Sequence, residues 1–139
     1  MKLLSLISLF LISTSVLAEN AQRRVCRISG GQFLGLDIQK PQKDNIGVCF
    51  FSQMSQLGTI SLIENLHNGT DSMAVNALKT TKQTKVMTCE EVGSFETVAL
   101  TSTGESYSLC YFEDYSFIGL ETLKLGWFSP FNQRLRSLL

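Results

Sequence analysis

Among the side chains of this 139-residue sequence, the four cysteines are the best equipped for chemistry. Cys26, Cys49, Cys89 and Cys110 are separated by 23, 40 and 21 positions. A cysteine-held zinc needs close pairs such as C-x-x-C to converge on one ion, and these gaps supply none. Oxidation in pairs is the chemistry that remains, and four cysteines allow three pairings. The only histidine, His67, stands in the polar stretch 65–70, where a solvated imidazole is expected rather than a general base. Glu90-Glu91 and Glu113-Asp114 are neighbours along the chain, so neither pair faces itself across a substrate as glycosidic chemistry requires. A Gly-rich phosphate loop followed by Lys-Ser/Thr is missing too. No catalytic residue, metal ligand or cofactor is expected.

Disulfides imply an oxidising compartment, and the start of the chain supplies a route to one. Met1-Lys2 opens it, an apolar run diluted by serines follows from Leu3 to Val16, and Val16-Leu17-Ala18 ends it on small residues. This predicts a signal peptide over residues 1–18. The run is shorter than the roughly 20 apolar residues of a bilayer span, and no later stretch is apolar enough to cross. The expected location is periplasmic or secreted. Twelve Lys and Arg balance twelve Asp and Glu, and cleavage would remove Lys2 alone. No charge excess attracts nucleic acid.

Positioning the cysteines is the work of a duplicated pattern. Setting Cys49 over Cys110 aligns CFFSQMSQLGTISL with CYFEDYSFIGLETL, with Cys49/Cys110, Phe51/Phe112, Ser55/Ser116, Gly58/Gly119 and Leu62/Leu123 identical. Upstream, Cys26 precedes Gly30-Gly31 and Cys89 precedes Gly93-Ser94 at nearly the same distance. Two tandem units follow, over residues 19–66 and 84–127, with a connecting segment over 67–83 and a tail over 128–139. A duplicated unit most simply carries its own crosslink. That selects Cys26–Cys49 and Cys89–Cys110, each closing a loop worth about 3 kcal/mol in the chain-entropy model.

Within the first unit, Ala21, Val25 and Ile28 recur at helical spacing before Gly30-Gly31, predicting a helix over 20–29. Leu34, Leu36 and Ile38 alternate with Phe33, Gly35 and Asp37, a polar turn follows at 40–45, and Ile46 to Phe51 alternates again, which is a β-hairpin. Phe95 to Leu100 and Tyr107 to Phe112 repeat it. After each hairpin the pattern fits a helix capped by Ser55 or Ser116 and a strand equally well. Residues 67–70 read as a turn, and Met73, Ala74, Ala77 and Leu78 as a connecting helix. The expected fold class is α+β: two similar small disulfide-containing units, each a short helix plus an antiparallel hairpin, packed together through their apolar faces.

Phe50, Tyr111, Tyr115 and Trp127 are the candidates for a binding surface, because the aromatic set around the second cysteines exceeds what two small cores need. The tail from Gly126 to Leu139 mixes aromatics, leucines and two arginines, suiting either a membrane interface or the protein's own core. The order Cys26, Gly30-Gly31, Gly47-Val48-Cys49-Phe50-Phe51 resembles a family of small exported bacterial proteins of unknown function, often labelled hemolysin-like. The second unit keeps Cys89, Gly93, Cys110, Phe112, Asp114 and Ser116 in corresponding places. Leu57 and Ile118 stand where that family has a further Cys, and Ile60 and Glu121 where it has Trp, which removes one family disulfide. The resemblance implies a Gram-negative periplasmic or secreted protein with no established enzyme activity. The expected function is therefore an exported, non-enzymatic binding protein whose partner is a protein or envelope component. A small protease inhibitor is the alternative, with the loop from Lys40 to Asn45 as its reactive segment.

Overall fold

In the computed structural model, the described residues are 20–139, so the expected leader lies outside them. Helix α1 covers 20–28 and turns off at Gly30, whose φ of 90° is open to glycine without strain. Strands β1 (Gln32–Ile38) and β2 (Asp44–Ser52) form the first hairpin, and β4 (Phe95–Leu100) and β5 (Ser106–Tyr111) the second. The ambiguous segments turn out to be both things in succession. Strand β3 (Ser55–Gly58) runs straight into helix α2 (Thr59–Asn68), and β6 (Phe117–Gly119) into α4 (Leu120–Leu125). Gly58 and Gly119, not the two serines, cap these helices, at φ −54° and −59°. Helix α3 (Met73–Thr80) is capped by the Ser72 hydroxyl, and α5 (Gln133–Leu138) ends the chain. Residues 67 and 68 belong to α2, which closes at Gly69 rather than at the expected turn. The second unit has no counterpart of α1 beyond the single 3-10 turn Glu90–Val92, which ends at Gly93 in the left-handed region as α1 ends at Gly30.

The expectation of two hairpin units, each with its own core, gives way to one closed barrel with strand order β1-β2-β3-β6-β5-β4. The reason is edge chemistry. Each half forms a three-stranded meander whose outer strands would leave unpaired backbone groups, and the two meanders satisfy each other along two antiparallel seams. Across one seam Asp37 faces Leu100 and Ile38 faces Ala99. Across the other Leu57 faces Ile118. Leu57 and Ile118 are aligned positions. Asp37 and Leu100 correspond as well once Phe50 and Tyr111, which lie opposite Gln32 and Phe95, are superposed. Corresponding residues meeting at both seams is the signature of an approximate two-fold axis through the barrel wall, which exchanges the two ends of the barrel.

Alternation sorts the side chains. Leu36, Ile38, Ile46, Val48, Phe50, Ala99, Leu109, Tyr111 and Phe117 fill the interior. Cys49, Leu57, Cys110, Phe112 and Ile118 face outward under the helices, joined there by Leu62, Leu78, Leu123 and Leu135. Both disulfides lie in this outer layer, pairing Cys26 with Cys49 and Cys89 with Cys110 at Cα separations of 5.5 and 5.2 Å. The aligned glycines are sites of close approach: a Cβ on Gly58 would meet the Phe117 ring, and one on Gly119 the Gln56 amide. Gln56 and Phe117 are themselves aligned, so each half covers the other's glycine.

The correspondence also runs through the connecting segment and the tail, which sequence analysis set outside the two units. Ser72 caps α3 and Ser129 caps the turn Pro130–Asn132 that leads into α5. Leu78 and Leu135 follow at the same spacing, both fully buried. Each of these helices packs on the opposite half. Helix α3 lies against β6 and α4, where the Asp114 carboxylate accepts from Met73 N–H at 2.8 Å and the Ser116 hydroxyl from Ala74 N–H at 3.0 Å. In return Arg134 of α5 donates to the Ser29 carbonyl at 2.7 Å. The tail is thus docked on the protein's own core.

Phe112 is fully buried whereas its counterpart Phe51 is half-buried. Phe112→Ala should cost about 3–5 kcal/mol and Phe51→Ala distinctly less, as read from urea unfolding; equal losses would contradict the unequal burial. Burial works to raise the pKa of Asp114, but hydrogen bonds from Met73 N–H and from the Ser116 hydroxyl and N–H outweigh it, so the carboxyl lies below its ordinary value. A folded pKa below the unfolded one gives stability that is present above the unfolded value, about 3.9, and lost as pH falls through the folded value. Asp114→Asn should remove that part of the acid dependence and leave the curve near pH 7 parallel to wild type.

Candidate functional site at the open end of the barrel

The residues expected to form a binding surface are not brought together. Phe50 and Tyr111 are only 6% and 9% exposed, because both occupy inward positions of their strands. Tyr115 is 76% exposed, at φ 66° on the turn before β6. Trp127 is half-buried on the outer layer, with the Lys82 ammonium 4.2 Å above its ring and its backbone N–H donated to the Thr81 hydroxyl. His67 is exposed near the end of α2. Among the described residues no three His, Cys, Asp or Glu side chains are grouped to hold a metal. The loop proposed as an inhibitory segment is bent at 40–42 and tied down: the Lys40 carbonyl accepts from the Thr97 hydroxyl, and Asn45 donates to Asp37.

The site emerges from comparing the two ends of the barrel that the approximate axis exchanges. At one end, the rings of Phe95, Tyr111 and Phe117 follow one another, Phe95 tilted against Tyr111 at 5.5 Å and Tyr111 stacked on Phe117 at 6.1 Å, with Tyr111 and Phe117 buried and Phe95 at the surface. At the other, the corresponding positions hold Gln32, Phe50 and Gln56. Two glutamines replace two phenylalanines, Gln32 exposed at the mouth and Gln56 buried. A cleft of about 750 Å³ lies there, lined by Gly30, Gly31, Gln32, Leu34, Phe50, Phe51, Ser52, Gln53 and Tyr107 and by the 101–105 turn.

Tyr107 crosses the mouth. Its ring meets Phe50 edge-on at 5.0 Å, and its hydroxyl stands 3.0 Å from Gln53 Oε1 and 3.3 Å from Glu105 Oε2. Burial, and after it the charge and hydrogen bond of Glu105, push the phenol above its ordinary pKa, so it stays a donor at neutral pH. Its single hydrogen serves one acceptor at a time. The other remains open to a ligand hydroxyl or amide.

Gln53 is free to line this mouth because of a difference between the halves. Its counterpart Asp114 accepts from Met73 N–H, but the residue corresponding to Met73 in the tail is Pro130, which has no N–H to give. The carboxylate that clasps a helix in one half is therefore an amide facing the cleft in the other. Around the cleft stand an aromatic floor, side-chain amides, hydroxyls and one carboxylate. Among the described residues its lining contains no histidine, thiol or pair of carboxylates.

Of this set, sequence analysis picked out the aromatics Phe50, Phe51 and Tyr107 and committed to Phe50, and it passed over the polar members. Gln56 was on view in the alignment as the partner of Phe117, a mismatch whose meaning depends on knowing that both side chains point into a barrel. The chain matches no family model, no curated protein and no solved structure.

Proposed function

We propose that the protein is an exported, non-enzymatic binding module that takes a polar component of the cell envelope into the open end of its barrel. Two buried disulfides fit an oxidising, extracytoplasmic compartment, and among the described residues no helix is long and apolar enough to cross a membrane. The observation that carries the reading is the cleft of about 750 Å³ at the barrel end where Gln32 and Phe50 stand in place of Phe95 and Tyr111, walled by Phe50 and Tyr107 and by the amides of Gln32 and Gln53. Barrel mouths with an aromatic wall and a few placed polar groups are a recurrent form of ligand site. The resemblance to small exported hemolysin-like proteins agrees with export and assigns no reaction.

The test is to refill the mouth. Gln32→Phe with Gln56→Phe copies the residues already tolerated at the opposite end. The oxidised full chain, immobilised and offered a panel of envelope oligosaccharides and short peptides, should retain at least one ligand. The double variant should lose it by tenfold or more while melting within a few degrees of wild type. Undiminished binding by a folded variant would remove the mouth from consideration.

A further inference from the structure

Resting on that reading of the mouth, we infer that its ligand is an acidic oligosaccharide whose uncharged part occupies the mouth while its anionic groups reach the arginines of α1. The mouth does not end at Gly31 and Gln32. These residues also line a second cleft of about 560 Å³ between α1 and β1, whose other walls are Asn20, Arg23, Arg24, Arg27 and Phe33. Among the described residues, three guanidinium groups and no carboxylate line it. Arg24 and Arg27 are exposed and make no ion pair among the described residues.

The arginine face is also held in place. Cys26 ties α1 to β2 through its disulfide, Gln22 packs over the Gly47 backbone, where a Cβ would meet its amide oxygen, and Arg23 lies 4.8 Å over the Phe33 ring. A guanidinium fork suits carboxylate, sulfate or phosphate in bidentate geometry. The charge is particular to this half, since Arg27, the residue after Cys26, corresponds to Glu90, the residue after Cys89.

A glycan fits better than an acidic peptide. Extended peptides bind sheets by adding a strand to an open edge, and a closed barrel has none. What the mouth offers instead are the side-chain amides of Gln32 and Gln53, the hydroxyls of Ser52 and Tyr107 and the Glu105 carboxylate, groups that pair with ligand hydroxyls.

The experiment titrates the oxidised full chain with hexameric oligogalacturonate and with neutral maltohexaose by calorimetry at 50 and 300 mM salt. The acidic hexamer should bind at least tenfold more tightly than the neutral one at low salt, and most of that margin should vanish at high salt. Arg24→Ala with Arg27→Ala should abolish the margin, whereas Lys40→Ala with Lys43→Ala should leave it intact. The double lysine variant of the two arginines should keep part of it. Equal affinity for both hexamers, or an unchanged margin in the alanine variant, overturns the inference. If the Gln32→Phe, Gln56→Phe variant loses both hexamers while the arginine variant loses neither, the mouth stands and the acidic specificity falls. If only the arginine variant affects binding, the mouth reading itself has failed. Undetectable binding of oligogalacturonate at millimolar concentration also overturns the inference.

Discussion

Two three-stranded meanders close on each other along seams of two and one residue pairs, and every other feature of the molecule depends on those seams being held shut. Backbone pairing that short cannot hold by itself. The β3–β6 seam is backed on its outer face by fully buried Leu57, Ile118, Leu62 and Leu123. It is also locked by Thr122, whose hydroxyl accepts from Gln56 N–H at 2.9 Å and donates to the Met54 carbonyl at 3.0 Å. Helices α3 and α5 then cross between the halves, so that pulling the meanders apart would expose the outer core as well as the seams. Neither half is a self-sufficient unit, which is why two bridges within the halves coexist with a single barrel.

Closure by an approximate two-fold axis makes the two barrel ends, in origin, the same place. Their differences then become informative. Phe95 and Phe117 flank Tyr111 at one end while Gln32 and Gln56 occupy the matching positions at the other, where the cleft lies, and a proline in the tail releases Gln53 from the helix-clasping duty that Asp114 performs. Three side-chain differences and one lost N–H convert a structural end into a candidate binding end. The same asymmetry extends outside the barrel, where Arg23, Arg24 and Arg27 of α1 have Val86, Met87 and Glu90 as their counterparts.

Much of the local structure was legible. Alternation around Leu34 to Ile38 and Ile46 to Phe51 located the first hairpin, its repeat located the second, and duplicated cysteine spacing selected the bridges that are observed. The barrel was not legible, because β3 and β6 are four and three residues long and buried at every position. No alternation survives in a run so short, and the helix that follows at once dilutes it further. Phe50 and Tyr111 were assigned to a surface for the same reason: without closure, an inward face of a hairpin looks like an exposed one. The tail's equivalence to α3 was hidden by Pro130 and by the absence of repeated residues other than Ser72/Ser129 and Leu78/Leu135.

The account's central claim is that one barrel end receives ligand and its symmetry mate does not. Chemical-shift mapping on the 15N-labelled, oxidised protein tests it directly, because glutamine side-chain amides report individually. Addition of envelope oligosaccharides should shift the side-chain amides of Gln32 and Gln53 and the backbone amides around Tyr107, with Phe95, Tyr111 and Phe117 unmoved. Shifts centred on those three aromatic residues, or dispersed evenly over both ends, would contradict it.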